Sequence, residues 1–328
     1  MKKFLVVLLV LALMLSSVSA MAAKSTDDAF KIIMTCSNTA GKPHTDAVIE
    51  ALTRIEERTN GHVLIEFHGG NEMFTGAEGV EAVMSDSAVM YLTDASTFAD
   101  YCPAYATLTA PFLMSDYEQA EAFLATEFWQ GIEAEAAQAG VYSVINDLVL
   151  GTRNILASVP VNSIEDCAKL NIRVPDNTLY ISIFDALGAN YLAMSTSDMV
   201  NAMQTGMCNA MEGTAATVKS YVQSLDNPCY TLDGHLMNIV GIHCGTGYWN
   251  TIPEEYQQII TEELEKAAYD SNRLYAANFE TDLAALEAAG VQVIRLSDEV
   301  MADFVSACSG VAEAMPRYSE FKAAIDGL

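Results

Sequence analysis

Basic residues are scarce in this chain of 328 amino acids: 16 Lys plus Arg stand against 43 Asp plus Glu, a formal charge of −27. A surface of that sign repels phosphate backbones and anionic headgroups, which argues against nucleic acid or an anionic membrane as partner. It does not exclude a small anion, because one or two focused cations override a distant, screened field. Paired cysteine motifs are lacking as well. Cys36, Cys102, Cys167, Cys208, Cys229, Cys244 and Cys308 are scattered with no CxxC, so neither a zinc site nor a thioredoxin-type motif is indicated. They read as small buried hydrophobes. HExxH, GxSxG and P-loop patterns are missing, and Gly245-Thr246-Gly247 lacks the third glycine of a dinucleotide fingerprint. His44, His62, His68, His235 and His243 never fall at i,i+4 spacing. No catalytic constellation, cofactor or metal site is expected.

What is present begins with a targeting segment. Lys2 and Lys3 precede the apolar run Phe4 to Leu15, and Ser16 to Ala20 are small. Val18-Ser19-Ala20 fits a signal-peptidase site, so residues 1–20 are expected to be removed, cleavage falling after Ala20. The mature protein is then exported to the periplasm and is expected to be monomeric. Apolar runs beyond this segment are too short to span a bilayer.

The remainder alternates between period-2 and period-3.6 patterning. Strands are expected at 29–35, 62–67, 88–92 and 141–145, with helices at 44–58 and 77–84 and a helix pair over 116–140 broken near Ala125-Thr126. From 171 the pattern repeats: strand 171–174 stopped by Pro175, helix 179–187, strand 191–193, a helix capped by Ser197, strand 207–212. Pro253 opens one very long helical stripe to Ala289 that includes Ile260, Leu264, Leu274 and Leu283. Alternating β and α elements predict an α/β fold with a largely parallel sheet in two lobes. Strand-like residues 149–158 join the two units where a flexible linker is absent, as a hinge requires. The lobes are expected to comprise 24–150 plus 239–278 and 151–238 plus 279–328.

Two arginines break the apolar patterning. Arg153, in GTRNILA, and Arg173, in NIRVPDN, each lie in a strand-like run twenty residues apart. A buried guanidinium is costly unless an anion or a set of acceptors answers it. Arg173 stands at the carboxyl end of its strand, where α/β sheets bind ligands, and a guanidinium holds a carboxylate with fixed bidentate geometry. An internal carboxylate would serve the charge equally well.

The segment GTRN, NIRVPDN, LGAN, AMQTG resembles the periplasmic solute-binding proteins of TRAP transporters, the DctP-like family. The likeness extends through RTNGHVLIEFHGG, TAPFL and GYWNTIPEEYQQII. It implies a two-lobed periplasmic-binding-protein fold with crossing strands and a long helix spanning both lobes, no catalysis, and delivery of a captured carboxylate to a membrane permease. It assigns the carboxylate clamp to Arg173, an assisting role to Arg153, and a ligand-facing position to Asp94. Two departures stand out. The family's Asp-Gly-Gln-Glu-Asn-Pro reads Asn209-Ala210-Met211-Glu212-Gly213-Thr214 here, so Gly213 replaces the ligand-binding asparagine and Glu212 and Thr214 become candidates. Thr196 stands where the family has an aromatic. Both departures predict a roomier pocket than a small C4 dicarboxylate needs. An exported enzyme using Asp94, Glu212 or a histidine as base, or a sensor component, are the alternative readings.

Overall fold

The computed structural model describes residues 29–328, so the targeting segment lies outside the described residues. Nine strands form one sheet: β1 (Phe30–Cys36), β2 (Val63–His68), β3 (Val89–Thr93), β4 (Val141–Ala157), β5 (Asn171–Val174), β6 (Asn190–Ala193), β7 (Ala210–Gly213), β8 (Cys229–Gly245) and β9 (Gln292–Arg295). The order is β2-β1-β3-β8-β4-β7-β5-β6, with β9 beside β8. Pairing is parallel within β2-β1-β3 and β7-β5-β6 and antiparallel where these triplets meet β8 and β4. The architecture is a two-lobed α/β fold, each parallel triplet being the heart of one lobe.

The crossing strands are longer than their hydrophobic runs suggest. β4 fuses the expected strand 141–145 with the strand-like joint 149–158, and β8 starts at Cys229 where only 236–244 is apolar enough to announce itself. They pair along their length with register shifts between Ser143 and Ile145, Ile145 and Leu148, Val149 and Gly151, and Arg153 and Ile155. Such bulges bend the ribbon and re-aim its side chains. At the third, Gly151 takes φ +96°, and a Cβ there would lie 2.7 Å from the Tyr117 hydroxyl. Only glycine fits on both counts.

Helices arise where the pattern placed them. Pro43–Arg58 buries Val48, Ala51, Leu52 and Ile55 on one stripe, with Asp46 in its first turn and Arg58 in its last, as the helix dipole favours. Thr75 and Glu78 form a capping box for Gly76–Met84. Asp116 and Thr126 cap Tyr117–Leu124 and Glu127–Gln138. The helix Thr196–Gln204 is capped by Ser195 rather than Ser197, because the Ser195 hydroxyl is the one that reaches the Asp198 amide.

The helix Glu254–Ala288 has 35 residues, about 50 Å at 1.5 Å per residue. Ile260, Leu264, Ala267, Ala268 and Tyr275 enter the core around β1 and β2, whereas Leu283 and Leu286 enter a separate core with Met199, Met211 and Tyr230. It thus spans both lobes. Leu274 leaves the expected stripe and is 49% exposed; Tyr275 takes the buried position. The terminal helix Tyr318–Asp326, expected with the second lobe, packs Phe321 against Phe123, Phe128 and Trp129 in the core of the first. All seven cysteines are buried and free. Among the described residues no helix is long and apolar enough to cross a membrane.

Candidate functional site

The sheet brings the carboxyl ends of β3, β5, β6 and β7 toward one another beside the middle of β4 and β8. Asp94 follows β3, Arg173 is the third residue of β5, Thr196 follows β6 and Glu212 sits in β7. Arg153 comes from β4, with Asn238 and His235 from β8. The topology alone makes this convergence, since the chain has no local reason to join residues so far apart.

Arg153 is answered inside the protein. Its Nη2 donates to Glu212 Oε1 at 2.6 Å, its Nε to Glu212 Oε2, and its Nη1 to Asn238 Oδ1 at 2.6 Å. The guanidinium also lies 5.2 Å over the Tyr180 ring. Burial works against its charge, but Glu212 and Tyr180 more than offset this and raise its pKa. Glu212 is held down at about 2: burial pushes it up, and Arg153 with His235 pulls it lower. His235 extends the chain, with Nε2 3.5 Å from Glu212 Oε2 and Nδ1 2.8 Å from Asp233 Oδ2. Burial disfavours the imidazolium, yet Asp233 and Glu212 raise its pKa to about 9. The row Asp233, His235, Glu212, Arg153 therefore alternates in sign.

Arg173 is treated differently. It is 5% exposed, yet no carboxylate touches it. Its Nε and Nη2 donate to the Met194 carbonyl at 3.0 and 2.6 Å, and Nη2 lies 3.4 Å from Thr196 Oγ1. Burial lowers its pKa, Glu212 pulls it back up at longer range, and Arg153 lowers it further. The result is a desolvated cation with neutral acceptors only.

Opposite stands Asp94. Its carboxylate accepts from the Ser96 amide at 3.2 Å and from the Tyr180 hydroxyl at 3.4 Å. Burial raises its pKa, and the Ser96 bonds and Arg153 moderate the rise. Asn177 Nδ2 donates to Ser96 Oγ at 3.2 Å, so the two lobes touch directly across this point.

The remaining candidates are drawn into the scaffold. Glu212, expected to face a ligand, has a fully buried side chain occupied by Arg153. Thr214 donates to Thr217 Oγ1 at 3.0 Å and accepts from the Thr217 amide, capping the turn Ala215–Val218. The extra room expected at Gly213 is filled: a Cβ there would meet Val218 Cγ1 at 3.2 Å and Thr217 Cγ2 at 3.6 Å. The turn Ala215–Val218 supplies both of those side chains. Sequence reasoning missed Tyr180, Asn238, His235 and Asp233 as a connected group. Tyr180 lies on an apolar helix face and reads as core, and the others are spaced from Arg153 by more than seventy residues. Among the described residues no group of three or more His, Cys, Asp and Glu could hold a metal ion.

Two α/β lobes joined by crossing strands, with a buried unpaired cation at the carboxyl ends of the strands where they face, define a solute-binding protein. The chain belongs to the DctP family, bacterial extracellular solute-binding proteins, family 7, whose model matches residues 35–317. Its members bind solutes and are not enzymes. A solute-binding protein of Sulfitobacter is 25% identical over 214 residues, which span 65% of this chain and 65% of that protein. A TRAP periplasmic solute-binding protein from Fusobacterium nucleatum, solved with sn-glycerol 3-phosphate, is 24% identical at TM-score 0.85, covering 90% of this chain and 97% of its own. Another, from Pseudomonas putida with D-glucuronate, is 24% identical at TM-score 0.81, covering 91% and 97%.

Proposed function

We propose that this protein captures an organic acid in the cleft between its lobes, in the periplasm, and hands it to the membrane permease of a TRAP transporter. Arg173 carries the reading: it is buried, charged and bonded only to neutral oxygens, so a ligand carboxylate is the partner it lacks. Arg153, fixed by Glu212 and Asn238, shapes the field beside it and presents polar surface to the ligand. Asp94 and Thr196 face the same space, while Glu212 and Thr214 hold the scaffold. The neighbours solved with D-glucuronate and sn-glycerol 3-phosphate, both small hydroxylated anions, favour this ligand class. The lobes are 24–150 plus 239–278 and 151–238 plus 279–328, with the terminal helix lying across the first. They close over the ligand about β4, β8 and the long helix. The mature chain starts after Ala20 and acts as a monomer.

A thermal-shift screen of organic acids tests the class, because a ligand that binds only the folded state raises its stability by mass action. Calorimetry of Arg173→Ala then tests the clamp. Truncating a buried, hydrogen-bonded charge partner costs about 2–5 kcal/mol of binding, enough to abolish micromolar affinity. Unchanged affinity in that variant would refute the assignment.

A further inference from the structure

Among the described basic residues that form no ion pair, Lys31 and Arg273 are exposed, whereas Arg173 is buried and Lys42 is half-buried. In so acidic a protein, a second shielded cation without a carboxylate calls for a reason. Lys42 precedes the helix Pro43–Arg58 in the first lobe and reaches across to the second. Its Nζ donates to Ser220 Oγ at 2.6 Å and lies 5.8 Å over the Tyr221 ring. Burial raises the pKa of the Tyr221 phenol and Arg173 pulls it back down, so the ring beneath Lys42 also feels Arg173.

Beside Lys42 opens a cleft of about 360 Å³. It is lined by Lys42 from one lobe, Lys219 and Ser220 from the other, and Tyr275, Asn278 and Asp282 from the long helix. Asp282 is taken by Lys219, which leaves the charge of Lys42 uncompensated. Burial lowers the pKa of Lys42 and the neighbouring Lys219 lowers it further, a conflict that a bound anion relieves.

We propose that this cleft is a second oxyanion subsite, in which Lys42 Nζ, with Lys219 and the Ser220 hydroxyl, receives a carboxylate or phosphate group. The anion is either the far end of the captured ligand, whose first acid group is at Arg173, or a free inorganic anion. The first case rests on the clamp role of Arg173 given above; the second does not. Because the lining comes from both lobes, an anion held there favours their closed arrangement by its differential affinity for it.

The test titrates the mature protein and three variants with inorganic phosphate, D-gluconate and D-glucarate, reading thermal shift and calorimetry. Gluconate and glucarate differ at the far end, where the second carries an extra carboxylate. Lys42→Met removes the cation. Ser220→Asp keeps it but supplies an internal carboxylate, at an exposed position that does not threaten folding. If the ligand supplies the anion, glucarate binds at least about tenfold more tightly than gluconate, and both variants erase that gain. If the anion is free, phosphate alone raises the melting temperature saturably and both variants abolish the shift. Arg173→Ala separates the two readings: it lowers binding of both sugar acids if the clamp is right and leaves phosphate binding in place. The subsite is overturned if phosphate gives no shift and glucarate gains nothing over gluconate. Phosphate binding that survives Lys42→Met but is lost in Arg173→Ala places the anion at the clamp and overturns it equally.

Discussion

Arg153 and Arg173 stand in strands of the same sheet, near enough that the charge of Arg153 lowers the pKa of Arg173. Around Arg153 the fold supplies the Glu212 carboxylate through two bonds, its carbonyl through a third, Asn238 through a fourth and the Tyr180 ring on one face. Around Arg173 it supplies one backbone carbonyl and one distant hydroxyl. A charge taken from water loses several kcal/mol of solvation, which an opposed charge at close range can return and neutral acceptors return only in part. The difference separates a cation that belongs to the scaffold from one that awaits a partner from solution. It also shows why two arginines that look alike in sequence are unequal: the carboxylate that decides the matter arrives on β7.

The comparison breaks most visibly in stability. Glu212→Ala leaves Arg153 and His235 without their shared anion, and removing one partner of a buried pair costs roughly 3–5 kcal/mol. Urea unfolding is expected to show that loss, with Arg173→Ala well below it. Equal losses would mean that Arg173 is as structural as Arg153.

The pH profile follows the same row of charges. His235 has its folded pKa raised to about 9, so its contribution is complete below about 6.5 and disappears as pH rises through about 9. Glu212, held at about 2, contributes above about 4.5 and loses this as pH falls through about 2. His44 and His243 act oppositely to His235. Burial holds them at about 4 and 3, so stability falls as pH drops below about 6.5 while the unfolded chain takes up their protons. Stability is therefore expected to decline as pH rises above about 6.5 and His235 loses its proton, at on the order of 1.4 kcal/mol per unit of pKa shift. Glu133 and Asp147, raised by burial to about 7 and about 6, offset part of the loss on the acid side. His235→Gln should flatten that alkaline limb in denaturation curves. A wild-type profile that is flat from 6.5 to 9.5 contradicts the charge row.

Smaller changes sharpen the contrast at Arg173 itself. Arg173→Lys keeps the charge and loses the planar fork; ligand affinity is expected to fall by about 1.5–3 kcal/mol, the worth of one charged hydrogen bond. Calorimetry that finds lysine equivalent would reduce the clamp to a point charge. Thr196→Ala removes a contact at 3.4 Å and should alter affinity by about 0.5 kcal/mol or less. A larger loss would show that the threonine contacts the ligand directly.

Much of the fold was legible because it rests on short-range physics. Hydrophobic period, capping residues such as Asp116 and Thr126, and Pro253 ahead of the long helix each act within a few residues. Strands β4 and β8 were legible only in their apolar parts. The polar start of β8, carrying Asp233 and His235, is strand because long-range pairing with β4 holds it there. Within the site, Arg173 was legible from its place at a strand end before Val174-Pro175. The surroundings of Glu212 and Gly213 were not legible, because they are contributed by β4 and by the turn after β7, whose approach no local pattern announces.

By itself the amino-acid sequence determined the elements, the alternation that builds two α/β lobes, the scarcity of positive charge and the two arginines that stand out against it. Each follows from propensity, periodicity or composition, which a chain carries whatever its shape. The tertiary structure alone decided that Glu212 meets Arg153, that Arg173 meets no acid, and that Lys42 faces Ser220 from the opposite lobe. Those outcomes depend on distances between residues 59, 21 and 178 positions apart, and only the shared sheet with its crossing strands sets such distances.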